Sequence, residues 1–258
     1  MLRLFFATLF LLCFYHGLTQ DFCAQVTYEC RTKLAVGPVY DGRNTLYFNN
    51  EKGLFVHNDY PKSDQYDDAG FSVNYTKGDD EGLPVFIHLK DNYLYYKSAY
   101  SAPPGELFIF KDTLPEINWT VGTATKKIGD FNCLSASGEF GGRTYDVWFT
   151  PEIPVRLGPY KLCGLPGMIL EAASRDGKVA YHFIAYQSPC ERKIEPPKRG
   201  KEITWREFEK FVINKLIKTE ALSTPGVTIT NDDPPADYEI ERNKFTIISN
   251  YKNQRSNK

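Results

Sequence analysis

The chain has 258 residues, with 31 Lys and Arg against 32 Asp and Glu, and the resulting formal charge of -1 argues against nucleic acid or an anionic membrane as partner. Aromatic residues make up 15 % of it, 17 Tyr and 18 Phe beside only 2 Met, a bias toward pleated surfaces over helices. The first twenty residues carry Arg3, an apolar run from Leu4 to Tyr15, and small or polar residues from Gly17 to Gln20. That layout predicts a secretory signal peptide over residues 1–20, with a mature chain starting near Gln20 or Asp21. No later apolar run approaches the roughly 20 residues that a spanning helix needs.

Period-2 alternation dominates the chain beyond the leader. In AQVTYECRTKL, Val26, Tyr28 and Cys30 share one face while Thr27, Glu29 and Arg31 share the other, which predicts a first strand with one buried side. Short runs at NTLYFNN, GLFVH, FSVNYT, PVFIHLK, NYLYYKS and ELFIF, separated by polar turn residues, predict an antiparallel meander. The acidic stretches SDQYDDAG and GDDEG lack the spacing of a calcium loop and read as solvated turns.

Two hairpins can be given registers. Gly141-Gly142 is a two-residue turn that sets Phe140 opposite Arg143, Gly138 opposite Tyr145, Ala136 opposite Val147 and Leu134 opposite Phe149. Asp176-Gly177 is the second turn; it sets Ala172 opposite Tyr181, Glu171 opposite His182, Leu170 opposite Phe183 and Ile169 opposite Ile184. Both faces of this second pair are mostly apolar, which predicts a central position covered on each side. A proline-rich basic connector, SPCERKIEPPKRGKE, leads to a helix at about residues 204–222. There Thr204 and Glu207 have capping-box spacing, and Phe208, Phe211, Val212 and Leu216 recur on one face. Residues 223–258 read as a polar extension with one terminal strand at Lys244 to Ser249.

Five cysteines remain beyond the leader: Cys23, Cys30, Cys133, Cys163 and Cys190. The odd count leaves at least one thiol outside any intramolecular bridge, and spacing alone does not pair the others. The most suggestive constellation is Glu171 opposite His182, since a carboxylate that orients an imidazole is half of a catalytic triad. No G-x-S-x-G elbow supplies a nucleophile, so a structural cross-strand contact is the plainer reading. Cys163, beside glycine-rich backbone, is a second nucleophile candidate with His182 as base, set against a role as a small buried hydrophobe. Arg143, next to the first turn on an apolar face, suits a structural contact with Glu152 or an anionic ligand. Trp148 joins Glu171, His182 and Arg143 as a ligand-binding candidate. His57, His88 and His182 each stand alone, so no metal site is expected.

Trp119, KKIGDFNCLSA, Gly142-Arg143, VWFTPEIP and GPYKLCGLPGMILE, in that order, resemble the GLPGLI family of exported bacterial proteins. Met168 stands where the family has Leu, and Cys163 where an aromatic is usual. The resemblance implies a Gram-negative envelope location and gives Gly158, Pro159, Gly164, Leu165, Pro166 and Gly167 as structural motif residues; it implies no cofactor and no catalytic residue. Together these readings predict a large curved antiparallel sheet, half-open and barrel-like, with one amphipathic helix, the alternative being a β-sandwich. The domain is expected to span residues 21–222 and to enclose a concave apolar cavity. The function expected is non-enzymatic: binding or carrying a hydrophobic or peptide-like ligand, or assisting an outer-membrane partner. The alternatives are an exported hydrolase using Glu171/His182 or Cys163, and an assembly module docking through strand edges.

Overall fold

The computed structural model describes residues 23–33, 39–58, 81–100, 106–208, 210–211 and 214. The expected signal peptide, the FSVNYT strand, most of the acidic turns, the far end of the helix and the 223–258 extension lie outside the described residues.

Among the described residues one twelve-stranded sheet holds all the strands: β1 (Ala24–Lys33), β2 (Val39–Phe48), β3 (Lys52–His57), β4 (Val85–His88), β5 (Tyr93–Tyr100), β6 (Glu106–Thr113), β7 (Thr120–Ile128), β8 (Phe131–Phe140), β9 (Arg143–Thr150), β10 (Met168–Ser174), β11 (Val179–Gln187) and β12 (Lys201–Glu202). Its order is β12-β6-β5-β4-β3-β2-β1-β11-β10-β9-β8-β7, two meanders joined where β1 pairs with β11. The sheet does not close, because β12 and β7 are its two edges. The predicted curved sheet is therefore present and the β-sandwich alternative is excluded. One pairing departs from the antiparallel expectation: β12 runs parallel to β6. The connector is held there by Glu81, which accepts hydrogen bonds from the Lys198 and Arg199 N–H groups and from the buried Lys97 Nζ at 3.0 Å.

The first hairpin has the register that the Gly-Gly turn dictates, from Leu134 opposite Phe149 through to Phe140 opposite Arg143. Its inner face, Ala136, Phe140, Tyr145, Val147 and Phe149, is buried, and a one-residue slip would turn that set outward. The second hairpin keeps its predicted register only at Ala172 opposite Tyr181 and Ala173 opposite Ala180. Beyond that point β10 is wedged away from β11. The Ile169 N–H donates to the Leu157 carbonyl, and the Ile169 carbonyl accepts the fully buried Tyr28 hydroxyl at 2.8 Å. The far half of β11 is consequently more open than a central strand, with Ile184 and Tyr186 exposed.

The helix starts at residue 205 behind the expected capping box: Glu207 N–H donates to Thr204 Oγ1, and Thr204 N–H donates to Glu207 Oε2 at 2.9 Å. Trp205, Phe208 and Phe211 pack on Phe108 and Phe110, with ring centroids 5.1 to 5.6 Å apart. The helix thus covers β6 rather than the second hairpin. Fully burying one such Phe side chain contributes roughly 1.5–3 kcal/mol. Among the described residues no helix is long and apolar enough to cross a membrane.

Candidate functional site

Between β9 and β10 the chain runs through residues 151–167 and folds into the hollow of the sheet instead of turning back over the surface. Ile153, Val155, Leu157, Tyr160, Leu162 and Leu165 are all buried in the single hydrophobic core. Leu157 packs against Gly53, where an added Cβ would come within 2.8 Å of its Cδ1, Tyr160 lies 6.4 Å edge-on to Phe55, and Gly158 lies so close to Ile169 that an added Cβ would come within 2.7 Å of the Ile169 Cβ. The concave apolar cavity expected from the sequence is therefore filled by the protein's own loop.

The motif residues build this plug. Leu157 bridges to Cys163 across a tight reversal in which the Leu162 N–H donates to the Pro159 carbonyl and Tyr160 takes a φ of 56°. Gly164 has a φ of +103°, a region that side chains rarely adopt. Gly167 is required for a different reason. Its φ is not left-handed, but an added Cβ would lie 2.7 Å from the Thr150 carbonyl carbon and closer still to its oxygen. Pro166 sits within the one-residue turn closed by the Gly167 N–H on the Leu165 carbonyl, with Leu165 buried beside it. Trp119 locks the outside of the loop by donating its Nε1–H to the Cys163 carbonyl at 2.8 Å.

The candidate side chains are distributed over separate contacts. Glu171 is ion-paired with Lys126 of β7, whose Nζ also lies 4.6 Å over the Trp148 ring, so Glu171 and Trp148 meet through the first lysine of the KKIGDFNCLSA block. The Glu171–His182 pair is not formed. Because β10 and β11 part at Ala172, the exposed His182 lies opposite Glu29 of β1, and neither Glu171 nor His182 hydrogen-bonds the other. Arg143 is buried and pairs with Asp176 of the second turn, Nε to Oδ2 at 3.0 Å, rather than with Glu152. Glu152 instead accepts from the Asn132 N–H and Nδ2. Burial tends to raise the Asp176 carboxyl, but the Ser174 hydroxyl, the Lys178 N–H and Arg143 together hold it below its ordinary value. This ion pair fastens the two hairpins to each other.

The thiols are equally structural. Cys23 and Cys190 form a disulfide, whereas Cys30, Cys133 and Cys163 are buried thiols. Burial pushes the Cys163 thiol up to about 11 against the opposing charge of Arg156, and burial with the Glu171 charge pushes Cys133 up to about 11. A nucleophilic cysteine needs the opposite shift. Among the described residues no group of three His, Cys, Asp or Glu side chains is placed to hold a metal ion.

What the plug leaves open lies at the rim. A pocket of about 390 Å³ is bounded by Leu94, Asp112, Glu116, Phe140 and Lys161, among others. Lys161, inside the motif, is 1 % exposed, and its Nζ stands 3.7 Å over the Tyr96 ring centroid and 5.4 Å from that of Tyr160. Tyr96 is in turn stacked on Phe110 at 5.0 Å. A lone charged residue in the otherwise apolar run YKLCGL was the available signal for this residue, and its register on the plug is what decides its importance. A second pocket of about 320 Å³ lies against the connector between Leu54, Glu81, Arg192 and Lys198. Several of its charges are already engaged, Lys198 with Glu195 at 2.5 Å, Glu81 with the Lys198 and Arg199 N–H groups, and Arg192 over the Tyr47 ring.

A family described as "Protein of unknown function (Porph_ging)" matches residues 141–171, the segment from the first turn through the plug to Glu171. No curated protein matches the chain. Two structures of PNGF-II, in space groups C2 and P21, match with a TM-score of 0.52 and 16 % identity. The match covers 73 % of this chain but only 32 % of theirs, about a third of the length of PNGF-II. A LolA superfamily protein, NE2245 from Nitrosomonas europaea, matches at 9 % identity over 68 % of this chain and 89 % of that one, with a TM-score of 0.29, too distant a likeness to carry an argument. The chain therefore shares its plug segment with a family of unknown function, and its fold with one portion of PNGF-II.

Proposed function

We propose that this protein is an exported cell-envelope binding module of the GLPGLI type, which holds a peptide-like ligand or an outer-membrane partner at the rim of its sheet and performs no chemistry on it. In this reading residues 1–20 are a signal peptide, residues 21–222 form the working domain, and residues 223–258 extend from it in the periplasm or outer envelope of a Gram-negative bacterium. One observation carries the reading: buried side chains of residues 153–165 fill the hollow of the sheet, and among the described residues a small pocket with charged groups lies at its rim. A site of this kind suits a polar, peptide-like group better than the acyl chains of a hydrophobic cargo. The hydrolase alternative is disfavoured by the engagement of Glu171 with Lys126 and by the raised thiol of Cys163.

Native mass spectrometry of the protein extracted from its own envelope tests this. A mature mass beginning near Gln20 or Asp21 with a copurifying peptide-sized adduct or protein partner supports the reading. A bare mass, with the protein found in the cytoplasm, contradicts it.

A further inference from the structure

We propose that the far half of β11, residues 183–187, is a strand-addition site that takes an extended, apolar peptide segment of a partner protein. The inference rests on the binding function proposed above and gives it a place on the sheet and a mode of recognition.

The site arises where the sheet parts. β10 pairs with β11 only at Ala172 opposite Tyr181 and Ala173 opposite Ala180, and that register continued would set Ile169 opposite Ile184 and Met168, the first residue of β10, opposite Ala185. Ile169 instead gives its N–H to the Leu157 carbonyl and its own carbonyl to the Tyr28 hydroxyl, and Tyr186 and Gln187 lie beyond the start of β10 in that register. Among the described residues no strand pairs with residues 183–187 on this side. On the other side β1 holds them in register, from Tyr28 opposite Phe183 to Gln25 opposite Gln187. A strand fixed along one edge keeps the N–H and C=O groups of its other edge aligned for a further strand.

The side chains favour the same occupant. A bulge leaves Ile184 without a β1 partner and so brings Phe183 and Tyr186, opposite Tyr28 and Val26, onto one face. Both rings lie edge-on to Phe131, at 6.1 and 5.5 Å, and the adjoining β7–β8 turn leans so close that a Cβ added at Gly129 would come within 2.8 Å of the Phe183 ring. Ile184 and Tyr186 are 41 % and 36 % exposed, although apolar. The segment FIAYQ carries neither the charge nor the proline that commonly blunts an open edge. An open backbone edge among apolar side chains complements a strand whose own alternate side chains are apolar. Five residues span about 17 Å and the added strand is about 4.8 Å wide. Such a strip buries far less than the about 800 Å² per partner of a stable interface between folded proteins, so the occupant is an extended segment rather than the face of a second copy.

The test uses the protein lacking residues 1–20 and two soluble heptapeptides, acetyl-Lys-Val-Thr-Ile-Thr-Val-Lys-amide and its counterpart with both threonines replaced by proline. The second keeps the charge and the apolar side chains but cannot pair as a strand. Hydrogen–deuterium exchange read by mass spectrometry should show the first peptide slowing exchange within residues 183–187 by at least about tenfold and the proline peptide leaving it unchanged. In fluorescence anisotropy of the labelled peptide, Tyr186→Ala, at an exposed position, should weaken binding several-fold. No binding up to about 1 mM overturns the inference, as does equal affinity for the two peptides or protection that falls elsewhere on the sheet. Protection of residues 183–187 in the free protein that is lost on dilution, together with a dimer in sedimentation, would make the occupant a second copy and also overturns it. If the peptides fail while a copurified peptide or partner is found by mass spectrometry, this inference falls and the wider binding function stands.

Discussion

Replacing Gly167 with Ala tests whether the motif is a packing device. An added Cβ would stand 2.7 Å from the Thr150 carbonyl carbon and nearer still to its oxygen, where real Cβ atoms do not come within 3.0 Å. Both opposing atoms are backbone, so no flexible side chain can swing aside. Relief requires the start of β10 to move off the end of β9 by several tenths of an ångström. That movement strains the Met168–Thr150 ladder pair and the Met168 N–H bond to the Ile153 carbonyl at 3.0 Å. Overpacking of this kind costs about 1–3 kcal/mol, and each weakened buried hydrogen bond adds about 1 kcal/mol, giving about 3 kcal/mol in all. For a domain of this size the midpoint should fall by roughly 6–12 °C. The measurement is thermal unfolding followed by circular dichroism, with urea unfolding for ΔΔG. A midpoint within about 2 °C of the parent, below the shift expected for even 1 kcal/mol, would refute the close-approach argument.

Other outcomes rest on the same structure. Leu157→Ala removes a fully buried plug side chain from its seat on Gly53 and should cost about 2–5 kcal/mol in urea unfolding. Thr204→Ala breaks the capping box at the start of the helix and should cost about 1 kcal/mol, read from the same urea curves. Burial lowers the His57 imidazole from 6.5 to about 4, so its neutral form supports the fold fully above pH 6.5. That support is lost as pH falls from 6.5 toward 4, at up to about 1.4 kcal/mol per pH unit and about 3 kcal/mol in total. His57→Phe should flatten this part of the stability–pH curve, and an unchanged slope would count against a half-buried neutral imidazole. Alkylation with iodoacetamide of the protein lacking residues 1–20 should leave the native form unlabelled and, in denaturant without reductant, add three groups, at Cys30, Cys133 and Cys163. Reducing the Cys23–Cys190 bridge, which closes a separation of 167 residues, should cost about 5 kcal/mol by chain entropy.

Much of the sheet was legible because its signals are local. Alternation in AQVTYECRTK set the buried face of β1, and the Gly-Gly turn fixed every pair of the first hairpin, since a two-residue turn leaves no freedom in register. The Thr204/Glu207 box marked the helix start for the same reason. What was not legible depended on distant partners. β7, TVGTATKKI, lacks alternation because as an edge strand it is exposed on both faces for most of its length. The second hairpin reads as a continuous ladder, yet Leu157 and Tyr28 take the Ile169 backbone groups, and neither is visible from the hairpin's own sequence. That wedge also separated Glu171 from His182. The rim site is hidden in the sequence for a related reason: in YKLCGL the lysine is the residue that looks exposed, and only the insertion of the loop into the sheet puts Lys161 against Tyr96.

The central claim is that the hollow of the sheet is filled by residues 153–165 and leaves no room there for an apolar ligand. The most direct test is titration of the folded protein with the neutral apolar fluorophore N-phenyl-1-naphthylamine. The filled hollow predicts no saturable rise in fluorescence in the parent and its appearance when Leu157→Ala opens the plug. Saturable binding to the parent, at one site and unaffected by Leu157→Ala, would contradict it.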